Sequence, residues 1–329
     1  MTENGQKKTA LVLGSGAARG VAHIGVIEAL QSKGIRPDMV IGTSMGAVVG
    51  GVYSAGKLDQ FTEFLTTLDW KAIMAYCDFV FPQKGLMEGT RILDKLDEII
   101  GDVTFSDFPV PFYAVATNMK TGQPVVLHEG SVSAALRASF SVPGIFQPAR
   151  IGDDWFLDGG LVAPLPIRQA KELGAERIIA VDLNHDQIKR NTRRRTIKSF
   201  ERKDILRNSS EDKPEVTADG ASIWNHVERR YKSVEQSMRL ALYNLVQTDK
   251  KGEHEPNIFD VLGSSMTIME HNLSKIILEQ YPPDILIQPG LSHLNFFDFD
   301  SAPDAIKTGY KATLKVFDKH PQLFDDIRL

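Results

Sequence analysis

Two short apolar segments, each ending in glycine and each followed at once by helix-forming residues, constrain the fold of this chain most. The segment "TALVLG" leads into the glycine loop "GSGAARG" and the helical pattern "VAHIGVIEALQSKG", and "DMVIGTS" leads into "MGAVVGGVYSAG". Short buried strands that alternate with helices are typical of parallel sheets covered on both faces. The sequence therefore predicts an α/β protein with three layers, in which helices flank a largely parallel central sheet.

The chain is predicted to divide into three parts, because its composition changes after residue 184. Strand and helix patterns alternate over 8–184, which we expect to hold the functional core. Residues 185–255 are interpreted as a basic, partly mobile insertion with an amphipathic helix, because the stretch 186–213 holds ten Lys or Arg and five Asp or Glu with few apolar residues. The helix, strand and helix patterns of 256–329 are expected to complete the same domain.

Composition and charge argue against several classes of protein. The net charge of −4 gives no overall attraction to nucleic acid. The single cysteine, Cys77, cannot form an internal disulfide, and no run of 18 apolar residues is present that would span a membrane. We therefore expect a cytoplasmic protein without a nucleic-acid partner, with peripheral membrane contact only through the basic residues 189–207. The oligomeric state is not predicted.

The glycine loop after the first strand suits either a phosphate or an oxyanion. A dinucleotide site needs the pattern G-x-G-x-x-G and an acidic residue at the end of the next strand. Gly14 and Gly16 fit this pattern, but Arg19 stands in place of the third glycine, and the next strand ends in "GTS" rather than in an acid. The pattern therefore disfavours a nucleotide, and no cofactor is predicted.

The second glycine turn, "GTSMG" from Gly42 to Gly46, has the form G-x-S-x-G between a strand and a helix. This pattern presents a serine, here Ser44, on a strained turn at a helix N-terminus, where N–H groups favour developing negative charge. The amide of Met45 would be one donor to an oxyanion, and the loop 14–17 would supply others, because adjacent parallel strands end at the same edge of a sheet. The turn predicts a nucleophilic serine, with an ordinary serine N-cap as the plainer interpretation.

Two candidates are open as the base for Ser44. The first is Asp158, which ends the strand-like segment "WFLDGG" and is followed by glycines that permit a tight bend; a turn-forming role is its plainer interpretation. The second is His185, which follows the strand "RIIAVDLN", with Asp182 as the acid of a triad. The residues alone leave both candidates open.

Taken in order, "GSGAARG", "GTSMG" and the "DGG" that begins at Asp158 resemble the motifs of the patatin-like phospholipase family, above all its bacterial cytoplasmic members. The segments "ASFSVPGIFQP" and "PPDILIQPGL" are similar to the same members. The resemblance implies a patatin-like fold and a serine acyl hydrolase of the phospholipase A or lysophospholipase kind. Such an enzyme acts on a lipid or other acyl ester and needs neither a metal nor a nucleotide.

The resemblance also implies a role for each motif residue. Ser44 would be the nucleophile and Asp158 the base of a dyad without histidine, and the reaction would pass through an acyl-enzyme. The oxyanion hole would comprise Gly14, Ser15, Gly16 and Ala17 with Met45. The supporting residues would be Arg19, which fixes the loop, and the glycines Gly20, Gly42, Gly46, Gly159 and Gly160.

A non-catalytic module that binds a membrane surface or a partner on the same scaffold is the competing hypothesis. The basic stretch 189–207 and the helical patterns from Ile223 onward motivate it. A solvated loop and ordinary core packing explain the same residues. The intact pair of Ser44 and Asp158 argues against a loss of catalysis.

Overall fold

One mixed sheet forms the centre of the molecule. The computed structural model describes residues 7–78, 80, 85–101, 103–188 and 258–324. Within these ranges the sheet has eight strands: seven follow the order β5-β6-β3-β2-β1-β7-β8, and the eighth, β4, pairs with β3 beside this path. The strands are β1 Thr9–Leu13, β2 Met39–Thr43, β3 Phe112–Asn118, β4 Pro124–Leu127, β5 Ala149–Ile151, β6 Asp154–Asp158, β7 Arg177–Val181 and β8 Ile285–Ile287.

The centre of the sheet is parallel, as the apolar segments predict. β1 lies between β2 and β7, and β3 and β8 continue the parallel order on either side. Every residue of β1 and β2 is buried, as expected for strands with helices on both faces. The strands β4 and β6 pair antiparallel with β3, and β5 pairs antiparallel with β6.

Helices cover both faces of the sheet, so the predicted three-layer α/β class is confirmed. The core on one face includes buried side chains of α1, α2, α6 and α9, and the core on the other face includes α7 and the end of α8. In the described ranges the helices are α1 Ala22–Ser32, α2 Met45–Ser54, α3 Leu58–Thr66, α4 Trp70–Tyr76, α5 Thr90–Ile100, α6 Val132–Ser139, α7 Ile167–Glu172, α8 Ile258–Gln280 and α9 Ala302–Lys319. None of these described helices combines the length and the apolar character that a membrane crossing requires.

Two separate helices, α3 and α4, follow α2. Asp69 begins the second one, because its side chain accepts a hydrogen bond from the amide of Ala72 at 2.8 Å. The helix α5 and the short strand β5 have no counterpart in the sequence analysis. The predicted insertion 185–255 falls almost wholly on 189–257, which lies outside the described residues.

The C-terminal segment packs on the same sheet as the N-terminal part. Its strand β8 pairs in parallel with β7. Its last helix, α9, crosses α1 so closely that a Cβ on Gly309 would meet the carbonyl of Ala22, and a Cβ on Gly25 would meet the carbonyl of Ile306. Both glycines therefore allow the two helix backbones to touch.

The sheet topology places two candidate site residues, Ser44 and Asp158, at the same edge of the sheet. β2 ends at Thr43, which pairs with Val115 of β3. The strand β6 runs the opposite way, and its last residue, Asp158, pairs with Ala116, the residue after Val115. The strand β6 therefore ends with Asp158 beside the turn that follows β2, and Ser44 lies in this turn.

Candidate active site

Ser44 occupies a strained turn between β2 and α2. Its φ of 57° is positive, and in the described part of the chain only Ala17 is another non-glycine residue with positive φ. A Cβ on Gly42 would meet the backbone of Gly46, and a Cβ on Gly46 would meet the carbonyl oxygens of Leu13 and Gly14. The backbone of this turn is thus packed too closely for side chains at either flank.

The Ser44 hydroxyl donates a hydrogen bond to Asp158, with 2.7 Å between Oγ and Oδ2. The other carboxyl oxygen, Oδ1, accepts a hydrogen bond from the amide of Gly160 at 2.7 Å. Asp158 is fully buried, and this burial raises its pKa to about 7, although the hydrogen bonds from Ser44 and Gly160 act in the opposite direction. A carboxyl with this pKa can exchange a proton with the serine near neutral pH.

Ser139, at the end of α6, orients the strained turn and was missed by the sequence analysis. Its hydroxyl accepts a hydrogen bond from the amide of Ser44 at 2.9 Å and donates one to the carbonyl of Val115 at 2.7 Å. The motif "ASFSVPGIFQP" contains this serine, but the sequence of the motif alone does not indicate a role for the hydroxyl. The Ser44 amide is therefore occupied and does not face a ligand.

The predicted oxyanion loop needs a correction in its first half. The amide of Gly14 donates to Val181 at 3.1 Å, and the amide of Ser15 donates to Pro164 at 2.8 Å. These two N–H groups stabilise the packing of the loop against β7 and the segment before α7, so they are not available to an oxyanion. The amides of Gly16, Ala17 and Met45 have no acceptor among the described residues.

Arg19 fixes the direction of the peptide between Gly16 and Ala17. Its Nε donates to the carbonyl of Gly16 at 3.2 Å, and its own amide donates to the same oxygen at 3.0 Å. Because C=O and N–H point in opposite directions across a trans peptide, these bonds turn the Ala17 amide away from Arg19. Ala17 lines the same cavity as Ser44 and Met45.

His23 also holds the glycine loop, from α1. Its Nε2 lies 2.7 Å from the carbonyl oxygen of Gly14, and the side chain is fully buried. Burial lowers the pKa of His23 to about 4, so the ring is neutral at pH 7 and donates through Nε2. This histidine is a structural residue of the loop.

The alternative base, His185, is not brought into a triad by the described contacts. The Asp182 carboxylate accepts hydrogen bonds from the amide of Asn184 at 3.0 Å and from Gln288 at 2.9 Å. Nδ1 of His185 has no hydrogen-bond partner among the residues that the structure describes. The Ser44 hydroxyl donates to Asp158 instead.

The remaining supporting glycines give clearance around the site. A Cβ on Gly20 would meet the side chain of Met45, and a Cβ on Gly159 would meet the carbonyl of Val115. A Cβ on Gly160 would meet a carboxyl oxygen of Glu270. Each of these positions lies where a main chain or a neighbouring side chain approaches too closely for a larger residue.

Replacing Gly46 with alanine is expected to destabilise the fold by about 3 kcal/mol or more, because the new Cβ overlaps carbonyl oxygens that cannot move without displacing β1. The free energy of unfolding in urea measures this effect. Gly51→Ala on the same helix is the matched control: its Cβ would meet only side-chain atoms, the nearest at 3.2 Å, and we expect a change below about 1 kcal/mol. Equal stability of Gly46→Ala and Gly51→Ala would contradict the packing described for the turn.

An apolar cavity of about 180 Å³ opens at Ser44. Its wall combines Ala17, Ser44 and Met45 with side chains that are nearly all aliphatic or aromatic, among them Phe61, Leu65, Leu96, Phe140 and Phe146. Lys95 is the one charged side chain among the described lining residues, and its Nζ lies 2.8 Å from Glu98 Oε1. The cavity therefore suits a hydrocarbon chain attached to a polar group at Ser44.

In this α/β protein, a serine on a strained strand–helix turn donates a hydrogen bond to a buried carboxyl at the end of the antiparallel strand β6. Residues 11–171 match the sequence model of a family described as patatin-like phospholipase. This match covers just under half of the chain, which is therefore similar to the patatin-like phospholipase family.

Curated proteins with NTE in their names are similar to about half of this chain. An uncharacterised NTE family protein of Mycobacterium tuberculosis H37Rv is 41% identical over 177 residues, which are 54% of this chain and 49% of that protein. The lysophospholipase NTE1 of Debaryomyces hansenii is 33% identical over 182 residues, which are 53% of this chain and 12% of that protein. The similarity thus spans about half the length of the mycobacterial relative and a much smaller share of the fungal one.

A solved structure is similar at a greater distance. The crystal structure of VipD from Legionella pneumophila aligns with 97% of this chain and 69% of its own, with a TM-score of 0.46 and 16% identity.

Proposed function

We propose that this protein is a serine acyl hydrolase that cleaves lipid carboxylic esters through a dyad of Ser44 and Asp158 and an acyl-enzyme intermediate. The observation that carries the proposal is the 2.7 Å hydrogen bond from Ser44 Oγ to the buried carboxyl of Asp158, at the wall of an apolar cavity. The lysophospholipase names of several fungal relatives support the same reaction class.

In the first half of the reaction, Ser44 Oγ attacks the ester carbonyl carbon while Asp158 Oδ2 accepts the hydroxyl proton. The carbonyl oxygen becomes an oxyanion, for which the amides of Gly16, Ala17 and Met45 are the proposed donors. The tetrahedral intermediate then expels the alcohol, which takes the proton from Asp158. The products of this half are the free alcohol and an ester between the acyl group and Ser44.

In the second half, water replaces the alcohol. Asp158 accepts a proton from water as the water oxygen bonds to the acyl carbon, and the same amides bind the second oxyanion. When this intermediate collapses, the bond to Ser44 Oγ breaks and the proton returns from Asp158 to that oxygen. A fatty acid leaves, and the hydrogen bond from Ser44 to Asp158 is restored.

The apolar lining of the cavity supports the acyl chain as the part of the substrate that binds there. Aliphatic and aromatic walls cannot satisfy a phosphate or a sugar, whereas a fatty acyl chain loses only its contact with water on entry. The acyl chain is therefore assigned to the cavity and the alcohol part to its outer side. The alcohol stays open between phospholipid, lysophospholipid, neutral lipid and thioester.

We expect kcat/KM for 4-nitrophenyl esters to rise with acyl length from acetate until the cavity is full. Each buried methylene contributes about 0.8 kcal/mol, which corresponds to about a fourfold gain in kcat/KM. A series from two to sixteen carbons, measured below the critical micelle concentration of each ester, tests this. A flat series, or a preference for acetate, would show that the cavity is not the acyl site.

The competing non-catalytic module and the membrane contact at 189–207 remain hypotheses, since those residues lie outside the described ranges. The cytoplasmic location with peripheral membrane contact is also a hypothesis. Covalent labelling of the wild-type protein by a serine-directed fluorophosphonate separates the two functions. Labelling that requires Ser44 supports the hydrolase, and an unreactive protein supports the module.

A further inference from the structure

A buried carboxyl that the mechanism does not use lies on α8, outside the region matched by the family. The buried positions of this helix are Phe259, Gly263, Met266, Glu270 and Ser274, which follow helical spacing. Glu270 is only 2% exposed, and its Oε2 has no hydrogen-bond partner within the described part of the chain. Burying a carboxyl without full hydrogen bonding costs free energy of folding, so the presence of Glu270 among the buried positions of α8 requires an explanation.

One side of Glu270 faces the residues that hold the oxyanion loop. The same helix contacts Arg19 one turn earlier, where Thr267 Oγ1 accepts a hydrogen bond from Arg19 Nη2 at 3.2 Å. Arg19 is 1% exposed, and burial lowers its pKa; among the charges that oppose this, Glu270 has the largest effect, ahead of Asp186 and Asp298. Glu270 thus stabilises the charged guanidinium that holds the Gly16 carbonyl.

The other side of Glu270 faces the proposed base. Its Oε1 packs against Gly160 so closely that a Cβ there would overlap it, and the Gly160 amide is the group that binds Asp158 Oδ1. Burial, followed by the charge of Asp158, raises the pKa of Glu270 to about 7, against the effects of Arg19 and of a hydrogen bond with Ser15. The two carboxyls are therefore close enough to influence each other's ionisation.

We propose that Glu270 is a positioning residue of the dyad: its charge favours the charged form of Arg19, which Thr267 of the same helix binds, and its carboxyl packs against Gly160 beside Asp158. This inference rests on the proposed function. It adds to the family's motif residues a carboxyl from a separate helix, which couples the oxyanion donors to the base.

Three charged groups act on Glu270 from the elements packed around it. Arg19 comes from the turn before α1, Asp158 from the end of β6 and Asp182 from the segment after β7. Arg19 favours the carboxylate form of Glu270, and the two aspartates oppose it. Removing the Glu270 charge leaves Asp158 with one negative neighbour fewer, which lowers the pKa of Asp158.

The test compares Glu270→Gln with the wild-type protein in steady-state ester hydrolysis from pH 5 to 9. We expect kcat to fall about tenfold with KM nearly unchanged, because the substitution weakens the hold on the oxyanion donor. We also expect the acid limb of the kcat profile to move to lower pH by about half a unit. Ser274→Ala, one turn further along the same buried face, is the matched control and should change neither quantity.

Glu270→Asp provides a second variant, which keeps the charge and shortens its reach. It should lower kcat while its acid limb stays at the wild-type position, and an unchanged kcat would count against positioning even if Glu270→Gln does not fold. A folded Glu270→Gln with wild-type kcat, or with lower kcat but an unmoved acid limb, would overturn the inference. Failure of the wild-type protein itself to hydrolyse any ester would instead refute the proposed function, and the inference with it.

Discussion

Replacing Ser44 with alanine is expected to lower the hydrolysis of a long-chain acyl ester by a factor on the order of 10⁴ or more. The substitution removes the oxygen that would bond to the acyl carbon and that donates to Asp158 at 2.7 Å. The fold should persist, because alanine meets the same backbone demand at the positive φ of residue 44 as serine does. Measurements of kcat/KM and of fluorophosphonate labelling by intact-protein mass spectrometry test this.

Ser54→Ala is the matched control for this variant. Ser54 is a buried serine of the same helix, α2, and its Oγ has no partner among the described residues. We expect this control to keep both the activity and the single covalent label of the wild-type protein. Residual activity of Ser44→Ala within tenfold of the wild-type value would exclude Ser44 as the nucleophile.

The second large effect is expected for Asp158→Asn, which should lower kcat by about 10² to 10⁴-fold. Asparagine can still accept the hydrogen bond from the Gly160 amide, but it cannot accept the serine proton. In the wild-type protein, burial raises the pKa of Asp158 to about 7. The rate should therefore fall about tenfold per pH unit below that value, as the carboxyl becomes protonated.

The same substitution should raise stability relative to wild type at alkaline pH. The folded pKa of Asp158 is about 7, whereas an unfolded aspartate titrates near 3.9, so the folded state binds more protons between these values. The stabilisation from the protonated form is fully present below about pH 4, and it is lost as pH rises to 7, by at most about 1.4 kcal/mol per unit. Urea unfolding at pH 5 and pH 8 should show a smaller loss in Asp158→Asn than in the wild-type protein.

His185→Ala is the informative comparison for the base. The described contacts of Ser44 lead to Asp158, so removing the imidazole should change kcat less than threefold. Activity that survives Asp158→Asn but disappears in His185→Ala would replace the dyad with a histidine-dependent site. For Asp158→Asn, a free energy of unfolding that differs from the wild-type value by the same amount at pH 5 and pH 8 would contradict the effect of burial on the pKa of Asp158.

The position of Ser44 could be predicted because its turn is a local structure. The glycines at 42 and 46 and the buried strand before them lie within a few residues, and backbone sterics at these positions leave little choice. The parallel sheet and both flanking layers also followed from short apolar segments and helical spacing. The boundary between α3 and α4 depends on the Asp69 side chain, which caps the second helix.

Which amides of the glycine loop have no acceptor could not be predicted, because strand order decides their partners. The N–H groups of Gly14 and Ser15 bond to Val181 and Pro164, more than 140 residues later in the chain. A glycine-rich sequence indicates that backbone N–H groups are accessible to hydrogen-bond acceptors, but it does not show which acceptor binds each N–H group. The roles of Ser139 and Glu270 could not be predicted for the same reason. For Glu270, its place at helical spacing among the buried positions of α8 was a usable signal.

By itself, then, the amino-acid sequence determined the strained serine turn, the alternating strands and helices, and the family motifs, since each depends on interactions between residues close in the chain. Tertiary structure alone decided that Asp158 rather than His185 receives the serine hydrogen bond, and which amides remain free beside it. The physical reason is that hydrogen-bond partners are allotted by strand register and burial. Strand register and burial bring together β2, β6 and α8, which are spread over more than a hundred residues of chain.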